Sequence, residues 1–148
     1  MNITVTKEQY KTLLKTLKIA EWVLSSAEQD AEEETFREEF EKFDQYILSH
    51  YKEFDAKDSV FFDSELNMHF VTQEVESSII PFVEHYEEYI FWDELNFRLA
   101  RRDLILDKGE DEVYTMDPLE RMNFEEEYLV KYSQEFETHG VSRLRITE

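Results

Sequence analysis

Apolar residues recur at helical spacing along most of this chain, and that period limits the folds open to it. The clearest case is an aromatic stripe made of Phe36, Phe40, Phe43, Ile47, Tyr51 and Phe54. Spacings of three and four residues place these side chains on one side of a helix and predict that this side is buried. Four or five segments show such a period. We therefore expect a mainly α fold in which helices account for more than half of the residues.

Local signals predict where two of these helices begin and end. Thr6 and Gln9 have the spacing of a capping box, which predicts a first helix that runs from there to about Ser25. At the other end of the chain, Asp117 followed by a proline predicts the start of the last helix. Gly140 predicts the end of that helix, because glycine readily adopts the left-handed backbone of a helix cap.

The remaining segments are less regular. Residues 2–5 and 143–146 alternate apolar and polar side chains, so we expect these N- and C-terminal segments to pair as a short β-pair. Residues 55–71 predict a loop with an extended piece around Val60. Pro81 lies inside a helical pattern and predicts a kinked or split helix. Without an internal repeat or a linker, the chain is predicted to be a single acidic helical domain over residues 1–148.

The glycine and cysteine content excludes several kinds of functional site. The only two glycines, Gly109 and Gly140, are too far apart for a glycine-rich phosphate loop or a nucleophile elbow. The lack of cysteine excludes disulfides, a thiolate nucleophile and cysteine-bound metals. No histidine has the Glu-x-x-His spacing of di-iron bundles. We therefore expect no cofactor and no metal centre.

The acidic composition has two interpretations. Sixteen basic and 36 acidic residues give a net charge of −20, and many acids stand four residues before a base, which is typical of a solvated helix surface. Alternatively, the acidic surface imitates a nucleic-acid backbone and inhibits a protein that binds DNA or RNA. We favour the solvated surface, because Arg37 interrupts the main acidic run. Direct nucleic-acid binding is not expected, because phosphates would be repelled.

Two histidines are candidates for acid–base chemistry. His50 and His85 are each followed by a glutamate three residues later, so either one is a candidate half of a metal site or an acid–base pair. His50 lies at the edge of the aromatic stripe, where a hydrogen-bonded core histidine is the preferred interpretation. We name no catalytic residue, and an enzyme with an unrecognised carboxylate or histidine site remains an alternative.

The hydropathy pattern gives an expectation for the compartment. No apolar run approaches the roughly 20 residues of a membrane helix. The start of the chain, Met1 to Lys7, lacks the apolar core of a signal peptide. We expect a cytoplasmic protein that does not enter the membrane.

Three segments carry a resemblance to known sequences. These are residues 91–104 (FWDELNFRLARRDL), 125–128 (EEEY) and 132–144 (YSQEFETHGVSRL). They resemble a group of small acidic bacterial proteins of unassigned function. The likeness lies in the pattern of helices and turns over most of the chain. It implies one bacterial domain and no particular activity, ligand or site.

The first 27 residues carry a charge opposite to that of the rest. Four lysines against two glutamates give +2, which leaves −22 for residues 28–148. On a helix the four lysines lie within an arc of about 80°, and one tryptophan shares that arc. This lysine stripe is the candidate interaction surface: Lys7, Lys11, Lys15, Lys18 and Trp22.

The lysine stripe also has two interpretations. In the first, the lysines pair with acids of this chain or of a second copy; we prefer pairing within this chain, with Trp22 covered by it. In the second, the stripe binds an acidic partner with Trp22 as the apolar anchor. The predicted function is therefore a protein–protein interaction or adaptor module, whose partner is another protein or a second copy.

Overall fold

The mainly helical fold expected from the sequence is confirmed. The structure, a computed structural model, describes residues 4–26 and 31–145, with residues 31–33 by their backbone alone. It is 76% helical. The elements in chain order are α1 (Lys7–Ser26), α2 (Ala31–Ser49), a 3₁₀ turn (His50–Lys52), β1 (Val60–Asp63), β2 (Met68–Val71), α3 (Gln73–Lys108), α4 (Glu110–Thr115) and α5 (Pro118–His139). Within the described ranges, no helix is both long enough and apolar enough to cross a membrane.

The short β-pair is present, but the two chain ends do not form it. β1 and β2 pair antiparallel, with Val60 opposite Val71. Residues 4–5 and 143–145 are not in strands, so the prediction of strands at 2–5 and 143–146 is wrong for these residues. The other residues of those two segments lie outside the described part. The physical reason is proximity: the hairpin joins its strands through one short turn, whereas the ends would have to meet across the whole chain.

The chain divides into two compact units. Unit 1 is Met1–His85 and unit 2 is Tyr86–Glu148. The single-domain organisation expected from the sequence stays a prediction.

Unit 1 has an apolar core to which α1, α2, the hairpin and the start of α3 contribute. Its buried members are Tyr10, Leu14, Leu48, Ala56, Val60, Val71 and Val75. The Tyr10 ring stacks on Phe54 with centroids 4.3 Å apart, and its hydroxyl donates a hydrogen bond of 2.8 Å to the Ile47 carbonyl. Burial therefore leaves this polar group satisfied, as buried polar groups require.

The capping signals at both ends of the chain are confirmed. The Thr6 N–H donates to Gln9 Oε1 (2.9 Å), and the Gln9 N–H donates to Thr6 Oγ1 (3.2 Å), which is a complete capping box at the start of α1. The Asp117 carboxylate accepts from the first turn of α5 at Leu119 N (3.0 Å). Gly140 ends α5 with a φ of 53°, the left-handed conformation that glycine adopts most easily.

The prediction that the aromatic stripe is buried is confirmed only in part: Ile47, Tyr51 and Phe54 pack against the core of unit 1, whereas Phe36 and Phe43 face solvent. Phe36 is 56% exposed and Phe43 is 49% exposed, whereas Leu48, outside the stripe, is only 2% exposed. At 100° per residue, Leu48 lies about a quarter turn around the helix from the stripe. The cause is tertiary packing: α2 turns its Leu48 side toward α1 and β2, and the stripe faces partly into solvent.

The hairpin is joined to α2 through one side chain. The Gln45 amide donates to the His69 carbonyl and accepts from the His69 N–H, both at 2.9 Å. These are the two hydrogen bonds that a neighbouring strand would make. Gln45 therefore fixes how α2 lies against β2.

Pro81 does not split its helix. The predicted third and fourth helices are one element, α3, which runs through Pro81 to Lys108. Gly109, with a φ of 91°, separates α3 from α4. A proline removes one backbone hydrogen bond, and the remaining bonds of a 36-residue helix maintain it.

Unit 2 buries charge as well as apolar groups. Glu125 is only 6% exposed and pairs with Arg101. Asp103 accepts a hydrogen bond from the Tyr132 hydroxyl at 2.5 Å and pairs with Arg102 at 2.7 Å. Burial alone would raise the pKa of Asp103, but the hydrogen bonds from Tyr132 and Arg102 lower it. The carboxylates of Glu125 and Asp103 therefore each have an arginine as partner, and Asp103 also accepts the hydrogen bond from Tyr132.

Candidate functional site

The structure shows where each residue of the lysine stripe lies. The first two lysines make ion pairs with the segment that follows α2: Lys7 Nζ lies 3.0 Å from Asp55 and Lys11 Nζ lies 2.7 Å from Asp58. Lys18 pairs with Glu21, one turn further along α1. Three of the four positive charges therefore already have a carboxylate beside them.

The Lys11–Asp58 pair changes the titration of both groups. The hydrogen bond from Lys11 is the largest cause of the lowered pKa of Asp58, and Ser59 donates a second bond to that carboxylate. The same bond to Asp58 raises the pKa of Lys11. Both groups face solvent, so the pair stabilises the fold only slightly.

Lys15 differs from the other three lysines. It is exposed, and within the part of the chain that the structure describes it makes no hydrogen bond or ion pair. It lines a small cleft between α1 and α3 together with Lys11, Asp58 and Glu74. The two carboxylates there balance the two lysines, so this end of the stripe offers no excess positive charge.

Trp22 lies half-buried at the edge of an apolar groove between α1 and α3. We call this the Trp22 groove; its apolar wall is formed by Trp22, Ile79, Ile80 and Val83. The groove has a volume of about 340 Å³. Lys18, Glu21 and Glu76 lie at its rim, which leaves one negative charge in excess.

The apolar wall of the Trp22 groove is partly exposed. Ile79 is buried at its base, whereas Ile80 is 48% exposed at its wall. A concave apolar surface with a polar rim accepts an apolar side chain from a partner, and tryptophan is among the residues that contribute most to such contacts. The structure therefore brings Trp22 and Lys18 together in one site, and it places Lys7 elsewhere.

A second pocket was missed by the sequence analysis. We call it the Asp44 pocket: α1, α2 and β2 enclose a volume of about 250 Å³, and the half-buried Asp44 lies in its wall. Burial raises the pKa of Asp44 to about 6, Glu21 raises it further, and the positive charge of Lys18 offsets part of this increase. The signal available in the sequence was a carboxyl group within the apolar pattern of α2. The pocket itself could not be predicted, because its residues come from three elements that sequence spacing does not bring together.

The His50 candidate resembles a core histidine more than a catalytic base. Its Nδ1 lies 2.8 Å from Glu53 Oε1, at the spacing seen in the sequence. Its Nε2 is buried and has no hydrogen-bond partner in the described structure. His85 is exposed.

The residues that the structure describes contain no candidate metal site. In those residues no group of three or more His, Asp or Glu side chains lies close enough together to hold a metal ion. The absence of a cofactor and of a metal centre stays a prediction.

Comparison of the chain with protein-family models, with curated proteins and with solved structures gave no match.

Proposed function

We propose that this chain is a bacterial, cytoplasmic protein-interaction module that binds an amphipathic segment of a partner protein in the Trp22 groove. The observation that supports this most is the groove itself, where a half-buried tryptophan and three aliphatic side chains form a concave apolar surface. Amphipathic helices bind in such grooves through apolar side chains at helical spacing. The bacterial and cytoplasmic parts of the proposal rest on the sequence alone.

The charges favour a basic partner over an acidic one. Lys7, Lys11 and Lys18 are each paired within the chain, which removes the basis for attracting an acidic segment. The groove rim has one excess negative charge, and the chain as a whole carries −20. A basic segment would be attracted at long range, and its binding would lose less free energy to charge repulsion than the binding of an acidic segment. The proposed occupant therefore has apolar residues on one side and Lys or Arg beside them.

Trp22 fluorescence provides a direct test. The chain has two tryptophans, so a Trp92→Phe variant reports from Trp22 alone. Two amphipathic peptides of about four helical turns share one leucine face and differ only in carrying Lys or Glu around it. We expect the basic peptide to shift the Trp22 emission to shorter wavelength and to bind at least about tenfold tighter than the acidic one.

Matched variants locate the binding to the groove. Glu76→Lys should weaken binding of the basic peptide, whereas Glu39→Lys, an exposed change on α2, should weaken it much less. By calorimetry, Trp22→Ala should abolish binding, while Phe36→Ala, which removes an exposed aromatic elsewhere, should not.

Two results would contradict the proposal. One is that the two peptides bind equally well, or that neither peptide binds. The other is self-association in sedimentation experiments that Trp22→Ala abolishes, since the occupant would then be a second copy.

A further inference from the structure

The Asp44 pocket lies between three elements of unit 1. It shares Lys18, Glu21 and Ser25 with the Trp22 groove but none of the apolar side chains of that groove. Its apolar lining includes Leu24 from α1, Phe40 and Leu48 from α2, and Phe70 and Val71 from β2. Leu48 and Val71 are buried, so its base is closed. A volume of about 250 Å³ is close to the lower end of known small-molecule sites.

Asp44 is the one carboxyl group in this pocket that burial strongly affects. It is half-buried, and among the residues described no side chain or backbone N–H donates a hydrogen bond to it. The cost of removing water from this carboxylate is thus not offset by a donor within the described structure. The raised pKa of Asp44 agrees with this environment.

The other polar groups of the pocket are already engaged. Lys18 pairs with Glu21, and Arg37 donates a hydrogen bond of 2.7 Å to the Leu24 carbonyl. The His69 backbone is bonded to Gln45, and burial lowers the pKa of its ring, which favours neutral imidazole. With Glu41 included, the lining carries one excess negative charge.

We propose that the Asp44 pocket binds a small organic cation, a primary ammonium attached to an apolar group, with the ammonium on the Asp44 carboxylate. The apolar group would lie against Phe40 and Leu48. An ammonium donates the hydrogen bonds that Asp44 lacks and neutralises the excess charge. An organic anion would be repelled by the Asp44 carboxylate. A bare divalent cation needs several oxygen ligands at once, and among the described residues no three His, Asp or Glu side chains lie close enough together to hold one.

Two sources carry this chemistry: a free amine, or the side chain of a lysine in a polypeptide. Phenethylamine represents the first. A tripeptide with a central lysine and blocked ends represents the second. Phenethyl alcohol and the same tripeptide with norleucine are their neutral counterparts, and 3-phenylpropionate is the anionic counterpart.

Calorimetry at pH 7.5 gives the affinities, and amide chemical shifts of the ¹⁵N-labelled protein locate the probe. We expect at least one ammonium probe to bind about tenfold or more tighter than its neutral counterpart, and the tighter of the two identifies the source. Shifts should concentrate at Asp44, Gln45 and Phe70. Asp44→Asn should remove the preference for the ammonium, and the control Glu39→Gln, on the same helix and exposed, should leave it unchanged.

The proposal is overturned if neither ammonium probe binds. It is also overturned if the neutral or anionic counterparts bind as well, or if Asp44→Asn keeps the preference while its amide spectrum shows a folded protein. Since these variants lie outside the apolar wall of the Trp22 groove, failure here leaves the peptide-binding proposal to its own test.

Discussion

Unit 1 and unit 2 bury different chemistry at similar depth. The core of unit 1 consists of aliphatic and aromatic side chains such as Leu14 and Val60. Unit 2 also buries Leu104 and Val113, but Glu125 lies at the same depth, paired with Arg101. A buried apolar side chain can be replaced by another of similar shape with little loss of stability. A buried charge, by contrast, depends on one partner of opposite charge. The two units should therefore respond differently to single substitutions.

The tryptophans allow each unit to be followed separately. Trp22 belongs to unit 1 and Trp92 to unit 2, so Trp92→Phe and Trp22→Phe backgrounds report on one unit each. Urea unfolding measured by fluorescence then gives a free energy of unfolding for the unit that carries the reporter. The predictions below use these backgrounds.

The largest expected effect is in the apolar core. Leu14→Ala removes a side chain that is 1% exposed and leaves a cavity. We expect the free energy of unfolding, reported by Trp22, to fall by about 3 kcal/mol. As a control, Leu66→Ala in the exposed hairpin turn should change it little. Equal effects of the two substitutions would mean that the core of unit 1 is not where its stability lies.

The second prediction concerns the buried ion pair. Glu125→Leu leaves Arg101 without its carboxylate, and we expect the free energy reported by Trp92 to fall by about 2 kcal/mol. The loss stays below that of a fully buried pair, because the Arg101 side chain is 36% exposed.

A double variant and a surface pair sharpen this result. Arg101→Leu added to Glu125→Leu should recover part of the loss, because it removes the unpaired charge. Glu94→Leu, which breaks the exposed pair with Arg98, should change the free energy by about 0.3 kcal/mol. If Glu94→Leu costs as much as Glu125→Leu, burial is not what makes the unit 2 pair important.

The third prediction, for Asp44, has a smaller effect than the first two and the opposite sign. The pKa of Asp44 is raised in the folded state to about 6 from an ordinary value of 3.8, so the native state binds more protons between these values. Stability should therefore fall as the pH rises through this window. Asp44→Asn should raise the free energy of unfolding at pH 7 by about 1 kcal/mol, a figure reduced because the group is only half-buried.

Asp103 provides the contrast in unit 2. Its pKa is lowered, so its ionised form stabilises the fold above its ordinary pKa, and Asp103→Asn should destabilise unit 2 at pH 7. Urea unfolding at pH 4, 5, 6 and 7 tests both variants. An unchanged pH slope in Asp44→Asn would show that this carboxyl is not the source of the pH dependence.

The local parts of this fold were predictable from the sequence. The capping box of Thr6 and Gln9, the Asp117 cap and the Gly140 stop each depend on residues within one turn of one another. Their hydrogen bonds form wherever the helix forms, so spacing alone indicates them.

The long-range parts were not predictable in the same way. The aromatic stripe of α2 correctly indicated a helix but not its buried side, because the packing of β2 against Gln45 and Leu48 decides that side. The Trp22 groove needed a helix that begins some 50 residues after Trp22, and no periodicity links the two. The lysines were correctly placed together on α1, but their carboxylate partners lie largely in the turns after α2.

The Gln45 amide has a consequence for how this protein behaves at high concentration. A two-stranded hairpin offers its outer backbone groups to strands of other molecules, which is a route to aggregation. By occupying the His69 N–H and carbonyl, Gln45 closes the outer side of β2 at its centre. Sheet growth from copy to copy is therefore blocked on that side by a single side chain, which acts as a one-residue substitute for a third strand.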